Sequence, residues 1–437
     1  MRKNILIVGS HETGGGKIQR DILSKMLNDH GYNVFRLSMG INRNFQICND
    51  NGIKTYKIGK FKQNRRGTST LLEMFKYLTI EIFHPLIFVL SVFLILRHRI
   101  KTVNILTYNQ ISLSPLIASK ILMRNTILTM HTQELLCSYS AIMPFCYGIK
   151  KGKCGECMLL YHQLPKNLGR LKNIILSFFN FITSFIIFLK LQSSNYLADK
   201  IVFPSDHSKK LHIHYGVKKE KAMVITCLMD DRELSLLENY ELNRETVNKF
   251  IRDFELEGEK IILYLGRIEE VKGIEVLFKS LSEVLKINKK WKLLVAGKGR
   301  ASQKMKNLTY ELKIDKHVKF LGYVPRSDVY SYYHISDIVV IPSLFPETFG
   351  IVLTEVSLAK KIVIGSRIGA LGVRIRDGEN GFLVEPNDSK ELTEKIVYVL
   401  NNYEKLKHIG EKAYTDVKLE YDSNRSFSQF LQIIGGG

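Results

Sequence analysis

Lys260-Ile261-Ile262-Leu263-Tyr264-Leu265-Gly266-Arg267-Ile268-Glu269-Glu270-Val271-Lys272-Gly273 reads as a buried strand, a glycine turn and the opening of a helix. The apolar run lacks polar alternation, which suits a parallel strand covered on both faces. The same pattern recurs at Leu293-Leu294-Val295-Ala296-Gly297, Val318-Lys319-Phe320-Leu321-Gly322, residues 338–341 and Ile362-Val363-Ile364, each followed by a helical stretch. Strands alternating with helices predict a doubly wound parallel sheet, a Rossmann-like domain. Working upstream, residues 5–8 predict a strand, followed by a glycine-rich turn and a helix from about Lys17 to His30 that Gly31 closes. Val34-Phe35-Arg36-Leu37 and residues 104–108, 126–129 and 201–203 predict further strands of a second such domain. The expected class is α/β, with two doubly wound domains facing across a cleft.

The chain has 437 residues, too many for one ordinary core and enough for two domains. Residues 1–230 are expected to form the first, and 259–412 the second. The polar stretch 231–258, rich in Glu, Asn and Arg, reads as a connector, and residues 413–437 read as C-terminal helices.

The formal charge of +22 is unevenly shared. Residues 1–230 carry 32 Lys+Arg against 12 Asp+Glu, a net of +20, and the remainder carries 32 against 30, a net of +2. Such a field favours anionic partners: phosphates, an anionic membrane surface or nucleic acid. No basic motif interleaved with aromatic residues is present, so nucleic acid is not expected as a partner. The apolar run at residues 5–8 is too short for a signal-peptide core. The six cysteines then imply reduced thiols in the cytoplasm. Two apolar stretches fall short of the roughly 20 residues that a membrane span needs. Residues 82–96 include His84 and Pro85 and are expected to form a buried helix. Residues 174–191, flanked by Arg170 and Lys172, are expected to touch a membrane interface.

Motifs follow the strand ends, where open parallel sheets bind ligands. Gly9-Ser10-His11-Glu12-Thr13-Gly14-Gly15-Gly16-Lys17 is a glycine turn suited to an anion at a helix start, but His11 and Ile18 exclude a phosphate-binding P-loop. Arg267 and Lys272 place two cations at the end of one strand, where they would stabilise charge on a departing diphosphate. Pro346-Glu347-Thr348-Phe349-Gly350-Ile351-Val352-Leu353-Thr354-Glu355 places one carboxylate before a helix and another two turns inside it. A carboxylate accepts from two hydroxyls, as a ribose or hexose diol requires.

These pieces, with Thr129-Met130-His131, Phe203-Pro204-Ser205, Val295-Ala296-Gly297-Lys298-Gly299 and Asp377-Gly378-Glu379-Asn380-Gly381, resemble the family 4 retaining glycosyltransferases of the GT-B fold. The resemblance implies retaining transfer from a UDP- or GDP-sugar without an essential metal, and a C-terminal helix crossing back to the first domain. It implies that Arg267 and Lys272 clamp the diphosphate, that Glu355 holds the ribose and that Glu347 holds the transferred sugar. Gly266, Phe349, Gly350 and Ile351 would add backbone contacts, and Tyr323 and Val324 would lie against the base. His131 would reach the donor sugar, with Gly15 and Gly16 on the opposite wall. Ala370 and Val373 stand where that family has Gly and Glu, so no carboxylate role passes to position 373.

Cys137, Cys146, Cys154 and Cys157 lie in a basic loop, residues 132–160. Two readings stand: a structural Zn²⁺ held by four thiolates, or free and redox-responsive thiols. The charge split and residues 174–191 favour a glycan or lipid-linked acceptor met by a peripheral protein on the inner face of the membrane. A soluble acceptor and a catalytically silent scaffold are the alternatives.

Overall fold

The structure is a computed structural model that describes residues 3–9, 15–39, 45–59, 82–106, 112–131, 171–229, 234–237, 252 and 257–435. The four cysteines of the basic loop, the start of the glycine turn and most of the connector lie outside the described residues. The chain divides into two compact units, Met1–Leu228 with Ser423–Gly437, and Met229–Asp422.

The first unit holds an eight-stranded sheet. Its strands are β1 (Asn4–Gly9), β2 (Asn33–Met39), β3 (Gln46–Asp50), β4 (Ile53–Ile58), β5 (Thr102–Ile105), β6 (Asn125–Thr129), β7 (Lys200–Phe203) and β8 (Ala222–Val224). They are ordered β3-β4-β2-β1-β5-β6-β7-β8, with only the β3–β4 edge antiparallel. The helices are α1 (Gly15–Asp29), α2 (Pro85–Arg97), α3 (Ser114–Ile121), α4 (Leu171–Leu197) and α5 (Asp206–His214). Along β1, Leu6 and Val8 join one buried cluster, which includes Leu94 and Ile187, and Ile5 and Ile7 join another. A central parallel strand is apolar on both faces for this reason, and β1 carries the run of Ile, Leu and Val that this demands.

α2 starts where the sequence provides for it. The His84 ring accepts the Ile87 N–H at 3.4 Å, and Pro85 occupies the first helical position. The helix is not buried all round, which corrects the reading of residues 82–96. Ile87, Ser91, Leu94 and Ile95 face the core, while Leu86, Val89, Phe93 and Leu96 are each about half exposed. On α4 the Phe181, Phe185 and Phe188 side chains are likewise exposed, with Ile187 and Leu191 buried on the other side. Among the described residues, no helix is long and apolar enough to cross a membrane.

The second unit is a six-stranded parallel sheet. Its strands are β9 (Lys260–Leu265), β10 (Trp291–Ala296), β11 (Val318–Gly322), β12 (Ile338–Ile341), β13 (Ile362–Ser366) and β14 (Phe382–Val384), in the order β11-β10-β9-β12-β13-β14. Its helices are α6 (Ile274–Ile287), α7 (Ser302–Glu311), α8 (Arg326–Ile335), α9 (Ile351–Leu358), α10 (Gly369–Arg374) and α11 (Ser389–Glu420). The chain runs outward from β9 through β10 to β11, then returns to place β12 on the other side of β9. The β9–β12 boundary is therefore the switch point, where loops diverge and leave space for a ligand.

The last helix, α12 (Ser423–Gly435), belongs to the first unit. Phe427, Phe430 and Ile434 are buried with Ile5, Ile7, Ile22 and Leu23, and Asn125 donates to the Ile433 carbonyl at 2.8 Å. The apolar residues recur at spacings of three and four, so one face of α12 is committed to that core.

Candidate active site

Both loops at the β9–β12 switch point carry the charged residues singled out in the sequence. After β9 the Tyr264 hydroxyl donates to the Arg267 carbonyl at 2.9 Å and pins the turn. Burial and the Glu347 charge both push the Tyr264 pKa up, so the phenol stays neutral. A single 3-10 turn, Glu270–Lys272, then ends at Gly273, whose φ of 68° is left-handed. A Cβ there would lie 1.8 Å from the Pro342 carbonyl oxygen, so only glycine lets the β9 turn approach the end of β12 this closely. The Leu344 N–H donates to the Val271 carbonyl at 2.9 Å and closes the two loops together.

This docking brings Lys272 onto Glu347. Lys272 Nζ lies 2.5 Å from Glu347 Oε1, and the Ser343 hydroxyl donates to the same oxygen at 3.0 Å. Burial works to raise the Glu347 pKa, but the Lys272 charge and hydrogen bond, the Ser343 hydroxyl and the Arg267 charge together hold it below the ordinary glutamate value. Glu347 is thus an anion at neutral pH. One of the three Lys272 N–H donors is spent on it, leaving the others for a ligand anion. Arg267 is exposed beside this pair.

Glu355 sits on α9 and is 1% exposed. Its two oxygens are separately engaged: Arg326 Nη1 pairs with Oε1, and the Tyr333 hydroxyl donates to Oε2 at 2.6 Å. Arg326 and Tyr333 are seven residues apart on α8, two turns along one helix face, so both reach the same carboxylate. Burial and the neighbouring Glu355 charge push the Tyr333 pKa well up. By its second lone pair, each carboxylate oxygen has capacity for one more donor.

The loop between these glutamates is fastened to α10. Gly369 has φ of 57°, and a Cβ on it would lie 2.6 Å from the Glu347 nitrogen. Next to it the Ala370 N–H donates to the Glu347 carbonyl at 2.8 Å, a contact that needs no particular side chain at 370. Gly350, at φ 80°, caps α9, and Phe349 is buried.

The structure therefore brings Gly266, Arg267, Lys272, Glu347, Phe349, Gly350, Ile351 and Glu355 onto the loops and helix starts beyond the carboxyl ends of β9 and β12. Tyr323 and Val324 follow β11 directly, with Tyr323 exposed. In the first unit Gly15 and Gly16 open α1 after β1, and His131 lies just past β6. Cys137, Cys146, Cys154 and Cys157 are outside the described residues; among the described residues, no group of His, Cys, Asp and Glu is placed to hold a metal. Reading the sequence missed Ser343, Arg326 and Tyr333. The seven-residue spacing of Arg326 and Tyr333 was a usable signal, but nothing in it named Glu355 as the shared partner.

Comparison with known proteins gives this geometry a context. Residues 247–416 match the family model described as glycosyl transferases group 1. Among curated proteins, an uncharacterized glycosyltransferase of Methanocaldococcus jannaschii is 33% identical over 165 residues, 38% of this chain and 42% of that protein. The lipopolysaccharide 1,2-N-acetylglucosaminetransferase of Salmonella typhimurium is 31% identical over 173 residues, 38% of this chain and 45% of that protein. The aligned segment thus spans about two fifths of the length of these relatives. Over 100% of both chains, the fold is shared with Anabaena HepE, solved with UDP and glucose, at a TM-score of 0.71 and 16% identity. The fold is GT-B.

Proposed function

We propose that the protein is a retaining glycosyltransferase of family 4 that moves a sugar from a nucleoside-diphosphate sugar to a glycan acceptor. The observation that carries this is the Lys272–Glu347 pair at the β9–β12 switch point, with Arg267 beside it and Glu355 buried on the following helix. Lys272 and Arg267 receive the diphosphate and stabilise the charge that grows as its bond to the sugar breaks. Glu347 orients Lys272 and accepts hydroxyls of the transferred sugar, and Glu355 accepts the ribose hydroxyls. The departing phosphate takes the acceptor proton while the acceptor attacks the face that the phosphate leaves, so configuration is retained. No metal takes part in this step. Tyr323 and Val324 bear on the base.

A calorimetric panel of UDP, GDP and ADP, followed by their sugars, tests the reading. One diphosphate is expected to bind well above the others, and UDP is favoured because HepE was solved with it. If none binds and no donor is turned over, a silent scaffold replaces the enzyme.

The acceptor is a lipid-linked glycan reached from the cytoplasmic face of an anionic membrane. Support comes from the +20 charge of residues 1–230 and from the outward row Phe181, Phe185 and Phe188 on α4. Each Lys or Arg near such a surface contributes about 1 kcal/mol within a Debye length. The aromatic row adds roughly 25 cal/mol per Å² of apolar area buried, a contribution that salt does not screen. Co-sedimentation with liposomes is therefore expected to rise with anionic lipid and fall only partly in high salt. Replacing Phe181, Phe185 and Phe188 with Ser should remove the salt-resistant part. Wild-type protein that ignores anionic liposomes would shift the acceptor to a soluble molecule.

A further inference from the structure

Arg374 closes α10 with its side chain almost entirely buried. Its Nη1 donates to the Phe349 carbonyl at 2.9 Å and lies 3.5 Å from the Gly350 carbonyl. The guanidinium also sits over the Phe349 ring, 4.6 Å from its centre. At the other end, Nε is 3.4 Å from Glu420 Oε2 in the last turn of α11, two residues before the chain leaves the second unit at Asp422. The Tyr421 ring lies 6.2 Å from the Phe349 ring. A pocket of about 360 Å³, lined in part by Leu353, Val417 and Glu420, borders the Arg374 side chain.

A hydrogen bond to the Phe349 carbonyl has a geometric consequence on the other side of the peptide. The bond is trans, so the Gly350 N–H points opposite to that carbonyl, away from Arg374. Gly350 is also at positive φ and has no side chain to fix the turn; its own carbonyl accepts the Thr354 N–H at 3.2 Å, so the aim of its amide depends chiefly on what holds the Phe349 carbonyl. The Ala370 N–H holds the Glu347 carbonyl at the start of this loop, and Arg374 holds its end.

We infer that Arg374 is a positioning residue for the donor site: by gripping the Phe349 and Gly350 carbonyls from behind, it aims the Gly350 amide and the first turn of α9 at the donor, and Glu420 steadies that grip. This rests on the reading of the switch point as a donor site. Arg374 touches no substrate and takes no part in proton transfer.

The test uses the full-length protein and the nucleoside diphosphate that wild type binds best in the panel above. Arg374→Ala is expected to weaken that binding by roughly 10- to 100-fold, the scale of losing charge-assisted hydrogen bonds. Arg374→Lys, whose ammonium reaches one carbonyl as a point charge, should recover part of it. Glu420→Gln should lie between Arg374→Ala and wild type. Without nucleotide, amide exchange in a peptide spanning residues 346–352 should rise in Arg374→Ala and return toward wild type in Arg374→Lys. A purely structural role predicts a lower unfolding temperature with unchanged affinity and exchange at a temperature where the variant is folded, and that result overturns the inference. Wild type that binds no nucleoside diphosphate removes the donor-site reading and the inference together. Wild type that binds, with Arg374→Ala binding as tightly, removes only the inference.

Discussion

Lys272→Ala is expected to lower sugar transfer by at least ~100-fold, the scale of losing one preorganised transition-state donor, while the protein stays folded. The argument begins with the fold: Gly273 admits the Pro342 carbonyl, and the Leu344–Val271 backbone bond then sets Lys272 beside Glu347. Glu347 keeps the ammonium in place before any ligand arrives, so no reorganisation is needed when charge develops on the leaving diphosphate. Removing Lys272 leaves the Ser343 hydroxyl on a largely buried carboxylate, so the unfolding midpoint is expected to fall while the protein stays folded. The substitution also relieves the depression of the Glu347 pKa, since the Lys272 charge and hydrogen bond are the largest opponents of its burial. Initial rates with saturating acceptor, alongside an unfolding scan, measure both effects. A second readout locates the effect: donors with more acidic leaving groups need less charge stabilisation and should lose less activity in the variant. Full activity in Lys272→Ala would remove the assignment of this residue to the diphosphate.

Much of this site was legible because parallel sheets place their ligand loops predictably. Each long apolar run named a strand, and the residues that follow such runs had to lie at the carboxyl edge. That reasoning placed Lys272 and Glu347 at the same edge of the sheet; that their loops are neighbours, although 75 residues apart, follows from the pairing of β9 with β12, which the sequence did not show. The β3–β4 hairpin was missed although its signal was present. Asn51-Gly52 adopts positive φ at both positions, the turn that a tight hairpin requires, yet Gln46–Asp50 is too polar to read as a strand. The outward row of α2 was not legible for another reason. Residues 82–96 are apolar almost throughout, and composition alone does not say which side of such a helix the core covers. Arg374 was hidden by its mode of action. It works through backbone carbonyls, and no side-chain pattern at Phe349 or Gly350 marks them as acceptors.

Glu355→Ala is expected to affect both stability and binding. The carboxylate is 1% exposed and is the acceptor for Tyr333 Oη and Arg326 Nη1. Removing one partner of a buried, hydrogen-bonded pair costs about 3–5 kcal/mol. For a unit of this size, such a loss lowers the unfolding midpoint by roughly 2–4 °C per kcal/mol, a drop visible in any thermal scan. Glu355→Gln separates the two effects, because it keeps an acceptor for Tyr333 and loses the charge. If Glu355 receives the ribose hydroxyls, wild type should bind the ribonucleoside diphosphate more tightly than its 2′-deoxy counterpart. In Glu355→Gln that preference should shrink, because a neutral amide oxygen accepts from a hydroxyl more weakly than a carboxylate does. Calorimetry at a temperature where both proteins are folded gives the four affinities of this cycle. An unchanged ribose preference would mean that Glu355 acts only as the buried anchor of α8, and the ribose contact would pass to another residue.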